Sequence, residues 1–260
     1  MNPEPSYVNQ MDSQPESPAP QSFFNRLIGV YFSPGETFQD IGRAPAVVLP
    51  IIVLAVLTIG VVFVVSQRIS FEKVALQRID DNAAEGKITP EQAEQQKEGF
   101  KKIAPIFKIA IPFIAGIFII VAALAISGLA KLVSSMMGVD NKFLPLFGVT
   151  IYTMLAVSII SSVLLIILLY LKSPDDIDPT NPMGSNLAAL LSMAGMTSLP
   201  KFLKGFLAYV DIFYIWKVIL LGIGYAAVSR KLKTSTAIVY ASVGALVFAV
   251  IGAAWNALFG

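Results

Sequence analysis

Residues 143–171 read FLPLFGVTIYTMLAVSIISSVLLIILLYL, without one Asp, Glu, Lys or Arg. An apolar helix needs about 20 residues to cross ~30 Å of hydrocarbon, and inside lipid a backbone satisfies its hydrogen bonds only as helix or closed barrel. On either side, Ala44 to Gln67, Ile109 to Ala130, Gly205 to Ser229 and, apart from Lys233, Leu232 to Gly260 are also nearly free of charge. The pattern predicts an all-α polytopic membrane protein. Its five transmembrane helices fall at about residues 46–66, 106–129, 147–170, 206–228 and 237–259, joined by interfacial helices and an extramembrane helical hairpin.

Composition agrees and excludes much chemistry. Hydrophobic residues make up 55% and charged residues 14% of the chain, against about 25% charged in soluble domains, and the mean hydropathy is +0.71. With 260 residues and five spans there is room for one membrane domain and no separate soluble catalytic one. The chain has no Cys and no His, which removes disulfides, thiolate nucleophiles, the usual general base and the commonest metal ligands. A net charge of +2 gives nucleic acid no electrostatic foothold. No cofactor or metal is expected.

Residues 1–21 carry Pro3, Pro5, Pro15, Pro18 and Pro20 among Ser, Gln and Asn, which predicts a disordered tail; the first span then acts as an uncleaved signal anchor. From residue 22 onward the chain reads as the membrane domain. Phe23, Phe24, Leu27, Ile28, Tyr31 and Phe32 gather on one side of a short interfacial helix, with Asn25 and Arg26 opposite. In Ser33-Pro34-Gly35-Glu36, Ser33 suits a helix cap, Pro34 the first helical position, and Glu36 the return bond of a capping box. The second short helix runs to about Arg43, and the pair serves either as an anchor for the first span or as a docking surface.

Between the first two spans the character changes. Residues 67–102 hold seven basic and seven acidic residues, a Glu85-Gly86-Lys87 turn, and a second capping signal at Thr89-Pro90-Glu91-Gln92. This predicts a polar helical hairpin over 67–104 standing outside the membrane, its second arm running on toward span 2, where Pro112 marks a kink. Asp175, Asp176 and Asp178 lack the EF-hand pattern and carry no metal expectation. Residues 186–199 are too polar and Gly-broken to span and read as an interfacial or re-entrant helix. Alanines at 241, 245, 249, 253 and 257, beside Gly244 and Gly252, form a small-residue ridge suited to close packing within the molecule.

Span 4 contains the two intramembrane charges, Asp211 and Lys217. Such residues are functional hypotheses by default, costing roughly 2.5 to 3.5 kcal/mol each at a helix centre. Six residues apart places them ~9 Å along the axis and about 120° around it, so each needs a partner elsewhere. The polar positions available are Tyr152, Thr153, Ser158, Ser161, Ser162 and Asn256. Such an interior locks a bundle or lines a path for an ion or solute. Enzyme readings find less support: an intramembrane aspartyl protease needs two aspartates, and Ser127 has no histidine to activate it. Gly222-Ile223-Gly224-Tyr225 lies within a span and reads as close helix packing, not as a phosphate loop.

Three pieces in order, Ser33-Pro34-Gly35-Glu36-Thr37-Phe38, Asp211-Ile212-Phe213-Tyr214-Ile215-Trp216 and Gly222-Ile223-Gly224-Tyr225, resemble the prokaryotic form of the Yip1 domain family over about Phe23 to Phe259. The resemblance implies a compact five-helix domain in the bacterial inner membrane, with a cytoplasmic N-terminus. It also implies a non-catalytic, trafficking-like or membrane-organising role through protein or lipid contacts. The partners it implies are the bilayer, other membrane proteins or a second copy. Eukaryotic members bind Rab GTPases, but the long polar hairpin departs from their pattern. Counting Lys and Arg alone, seven on the N-terminal side against eleven opposite, favours the reverse orientation. The hairpin's acids balance its bases, however, while Arg230, Lys231 and Lys233 sit directly at span ends. The alternative function is a small-solute or ion transporter using Asp211 and Lys217. The residues singled out are Asp211, Lys217, Trp216, Gly222, Gly224, Ser33, Pro34 and Glu36.

Overall fold

Helix signals in the sequence become helices almost throughout the computed structural model, which describes residues 19–173, 177–178, 181–196, 198–229 and 231–259. The predicted tail therefore lies outside the described residues up to position 18, as do Asp175 and Asp176 of the acidic loop. Among the described residues all regular elements are α-helices: α1 (Phe23–Phe32), α2 (Pro34–Arg43), α3 (Val48–Arg68), α4 (Phe71–Ala84), α5 (Pro90–Met136), α6 (Phe143–Leu171), α7 (Leu187–Met193), α8 (Lys201–Leu207), α9 (Ile212–Val228) and α10 (Thr234–Phe259).

The caps explain several of these boundaries. Thr89 and Gln92 form the expected box, with the Gln92 N–H donating to Thr89 Oγ1 at 3.2 Å and the Thr89 N–H to Gln92 Oε1 at 2.9 Å. Ser33 departs from expectation. It occupies the cap position of α2 with Pro34 in the first turn, but its hydroxyl makes no capping bond. The Ser33 N–H already donates to the Gly29 carbonyl at 2.8 Å, closing α1, so nothing remains for Glu36 to reach back to. The hairpin's second arm and the second span are one helix of 47 residues, passing through Pro105 and Pro112. Ala, Glu, Gln and Lys favour helix along the polar arm, and packing against α3 and α4 offsets the roughly 3 kcal/mol an interior proline costs.

Four helices, α3, α5, α6 and α10, are long and apolar enough to cross a membrane, and α9, with 17 residues, is shorter. The predicted fourth span over 206–228 is thus corrected. The chain leaves helix after Leu207, passes Asp211 in extended conformation (φ −125°, ψ 140°), and starts again at Ile212. The cause is Asp211 itself, whose Oδ1 accepts the N–H groups of Phe213 and Tyr214 at 2.8 and 3.0 Å, a bond pattern that begins helices.

At the centre stands α6, packed by α3 and α5 on one side and by α9 on the other, with α1 and α2 also against it. One apolar cluster joins Leu54, Ala123, Phe147, Ile151 and Leu155 of α3, α5 and α6; a second joins Val30, Phe38, Ile41, Val149, Ala156, Leu220 and Leu221 of α1, α2, α6 and α9. Phe23 and Leu27 pack against both clusters. Helix α1 therefore lies over α6 between its two flanks, and is built into the bundle more deeply than an interfacial anchor would be. Since α6 and α9 are antiparallel, the ends of α6 and α9 at Phe143 and Val228 share one face with α1 and α2, here the near face. The polar hairpin, residues 181–196 and 198–211, and the end of α10 occupy the far face.

Glycine permits the closest approaches. A Cβ on Gly222 would stand 2.6 Å from the Ile238 Cα of α10, and one on Gly224 would collide with Val149 of α6 and meet Phe38 of α2 at 3.0 Å. The alanine ridge of α10 is likewise internal: Ala249 and Ala253 are buried, and a Cβ on Gly205 of α8 would lie 3.1 Å from the Ala253 Cα. Gly244 is the exception, facing open space.

Candidate functional site

Two polar assemblies and one cavity lie along the inner side of α6. The first ties α1 and α2 into the bundle. Arg26 and Asp40 are 1% and 2% exposed, and the Arg26 Nε donates to Asp40 Oδ2 at 2.8 Å. The same oxygen accepts the Gln21 N–H at 3.2 Å, and Arg43 approaches Oδ1 at 3.5 Å. Gln21, placed in the tail by sequence, is thus anchored to α2. Tyr152 lies beside the Arg26 guanidinium and reaches the Ala46 carbonyl at 3.5 Å. This corrects the expected outward position of Arg26. One-sided helix periodicity places Arg26 in water, but α1 is covered on that side by α2, and Asp40 supplies the counter-charge. Tyr31 adds a bond from its hydroxyl to the Ala156 carbonyl at 2.7 Å and packs its ring 6.0 Å from that of Trp216.

The second assembly links three helices. Ser127 of α5 donates to Thr150 Oγ1 of α6 at 2.8 Å, and Thr150 and the Tyr225 hydroxyl of α9 lie 2.8 Å apart. Both Ser127 and Thr150 are fully buried. Each hydroxyl thus finds a partner where lipid offers none, and the bonds fix the mutual rotation of the helices. Among the described residues, Arg26 Nη2 and Thr153 Oγ1 are the buried side-chain atoms left without a partner.

Farther along α6 opens a cavity of about 370 Å³. Ile119 of α5, Met154, Val157, Ser158 and Ser161 of α6, and Phe213, Tyr214 and Lys217 of α9 form its walls, with Met183, Ser185, Ala208, Tyr209 and Asp211 at the far side. The structure therefore brings Asp211 and Lys217 to one space without pairing them. Asp211 does not hang within a span; it caps α9, and the Ser185 hydroxyl donates to its Oδ2. Lys217 lies 4.7 Å from the ring centre of Tyr214, a cation–π contact within its own helix. Of the expected partners, Ser158 and Ser161 line the cavity with it, whereas Tyr152 serves the Arg26 assembly.

The remaining predicted residues sit elsewhere. Ser33, Pro34 and Glu36 mark the α1–α2 junction, Glu36 exposed, and none of them borders the cavity. Trp216 supports Tyr31, and Gly222 and Gly224 serve helix approach. Sequence reasoning missed Asp40, although a signal was present: Asp40 shares the inner face of α2 with Thr37 and Ile41, all three buried.

Outside the spans, two ion pairs fix connections. Lys131 hydrogen-bonds Asp140 at 2.9 Å and holds its carboxyl below the usual range. Lys97 of α5 bonds Asp80 of α4 and also Glu94, and these bonds hold its ammonium above the usual lysine range.

A comparison with curated proteins and another with solved structures find no match. A family model described as Yip1 domain matches residues 28–255, from within α1 to near the end of α10. That stretch contains the ion-paired Asp40, the three-helix hydroxyl assembly and the whole cavity, and the chain is an integral membrane protein of the Yip1 domain family.

Proposed function

We propose that the protein organises membrane components without catalysis, through protein or lipid contacts made by its N-terminal helices and its hairpin. One observation carries this reading. The inner face of α1 is locked into the bundle by Arg26 and Val30, while its outer face leaves Phe24, Ile28 and Phe32 exposed by 69, 56 and 84%. Spaced four residues apart, they form one continuous apolar ridge. A rigidly mounted ridge suits contact with acyl chains, another membrane protein or a second copy. We place the near face in the cytoplasm of a bacterial cell, because Arg43, Lys131, Lys142, Lys231 and Lys233 lie at that side's span ends.

A photo-crosslinking residue in place of Ile28, in the full chain in native membranes, tests this. Discrete protein adducts, or adducts with one lipid class, that disappear when Phe24 and Phe32 become Ser support it. Diffuse adducts unaffected by those changes would refute it. The second reading, transport of a small solute or ion, is favoured by the presence of Asp211 and Lys217 in one cavity. Flux through liposomes that falls with Asp211→Asn and Lys217→Met would raise it above the first.

A further inference from the structure

The cavity beside α6 carries chemistry that the contact role of α1 does not use. Its two charges are not equivalent. Both oxygens of Asp211 are engaged, Oδ1 by the N–H groups of Phe213 and Tyr214 and Oδ2 by the Ser185 hydroxyl. Among the described residues Lys217 makes no salt bridge; Asp211 acts on its charge across the cavity without a bond, and the Tyr214 ring at 4.7 Å leaves its N–H donors free. The Ser158 hydroxyl, on the same cavity wall, has no protein hydrogen bond among the described residues either. Of these free groups the ammonium can only donate and is cationic, and the hydroxyl can donate beside it, so together they suit an anionic acceptor.

The rest of the wall is apolar, through Ile119, Met154, Val157 and Phe213. Next to Ile119, α5 turns Ile117 and Phe118 outward with 65 and 69% exposure, as a surface in contact with acyl chains does. A cavity of about 370 Å³ is within the range that holds small ligands. An inorganic anion would satisfy Lys217 but leave the apolar wall uncovered.

We propose that this cavity binds the acidic head group of a membrane-derived amphiphile, with the anionic group on Lys217 and Ser158 and the chain along the α5 and α6 walls. This deepens the lipid-contact side of the proposed function and rests on it.

Native mass spectrometry of the full chain released from detergent, titrated with phosphatidylglycerol and with phosphatidylcholine, and with inorganic phosphate added in competition with bound phosphatidylglycerol, tests the assignment. The expected result is retention of phosphatidylglycerol over phosphatidylcholine. Retention falls about tenfold in Lys217→Met, as loss of a charge-assisted bond implies, and is kept in Lys217→Arg. Ser161→Phe fills the cavity without touching the charge and should cause the same loss, which guards against a Lys217 variant that fails to fold. Equal retention in the native chain, Lys217→Met and Ser161→Phe would overturn the proposal. Full displacement of the lipid by inorganic phosphate would overturn its membrane source. The crosslinking test at Ile28 reads α1 alone, so failure of either result is separable from the other.

Discussion

The near and far halves of the trough along α6 share walls and differ in what fills them. Ile119, Met154, Val157 and Phe213 border both the apolar clusters that receive α1 and the open cavity beyond. In the near half, Phe23, Leu27, Val30 and Tyr31 occupy the space, and the charge that α1 brings in is paired with Asp40. In the far half no helix among the described residues enters, and Lys217 has the Tyr214 ring beside it and Asp211 acting on its charge without a bond. Charge inside the bundle is thus handled in two ways on one scaffold. Where the chain supplies its own counter-charge, the result is a fixed structure; where it does not, the result is a place for something else. Of the two charges that stand out in the sequence, Asp211 is held by the N–H groups of α9 and by Ser185, and Lys217 is the one left without a bonded partner.

Removing the counter-charge should break the near half most severely. Asp40→Ala leaves Arg26 buried and unpaired and is expected to cost about 3–5 kcal/mol, whereas Arg26→Leu with Asp40→Leu should recover most of the loss. Equilibrium unfolding in mixed micelles measures both, and a double variant as unstable as the single one would show that the pair does more than compensate itself. Helix approach is the next largest effect. Gly224→Ala drives a methyl into Val149 and Phe38, and Gly222→Ala drives one against the backbone at Ile238, each for about 1–3 kcal/mol. Gly244→Ala meets nothing within 4 Å and should be neutral in the same assay.

The smallest effect lies outside the trough. Lys97→Met should raise amide exchange in α4 and the first turns of α5 and leave α6 unchanged, since Lys97 bonds Asp80 across the hairpin. The folded-state pKa of Lys97 is raised, so its contribution is complete below the ordinary lysine value and is lost only as pH rises through the folded one. Protection of the hairpin at neutral pH should therefore be flat, and a decline between pH 6 and 8 would point to another group.

Much of this was legible beforehand. Four of the five long uncharged runs became helices long enough to span, because length and hydropathy are properties of one segment. Thr89 and Gln92 gave the hairpin's second arm because a cap is local. Gly222 and Gly224 gave close packing because a missing side chain inside a span has few other uses. Two things were not legible. The burial of Arg26 depends on Asp40, which lies in another helix, and periodicity in α1 sees only one of the two surfaces that cover it. The break before α9 depends on Asp211 competing for backbone N–H groups, and hydropathy averaged over a span does not register that competition.

Because the chain contains no Cys, single cysteines can read the two halves of the trough directly. The central measurement is the labelling of Ser158→Cys and Ser161→Cys against Thr150→Cys and Ala156→Cys by a membrane-impermeant maleimide on folded protein stripped of bound lipid in detergent. Rapid reaction at 158 and 161 with protection at 150 and 156 is the predicted result. Equal reactivity at all four positions, or protection at all four, would contradict a trough that α1 closes at one end and leaves open at the other.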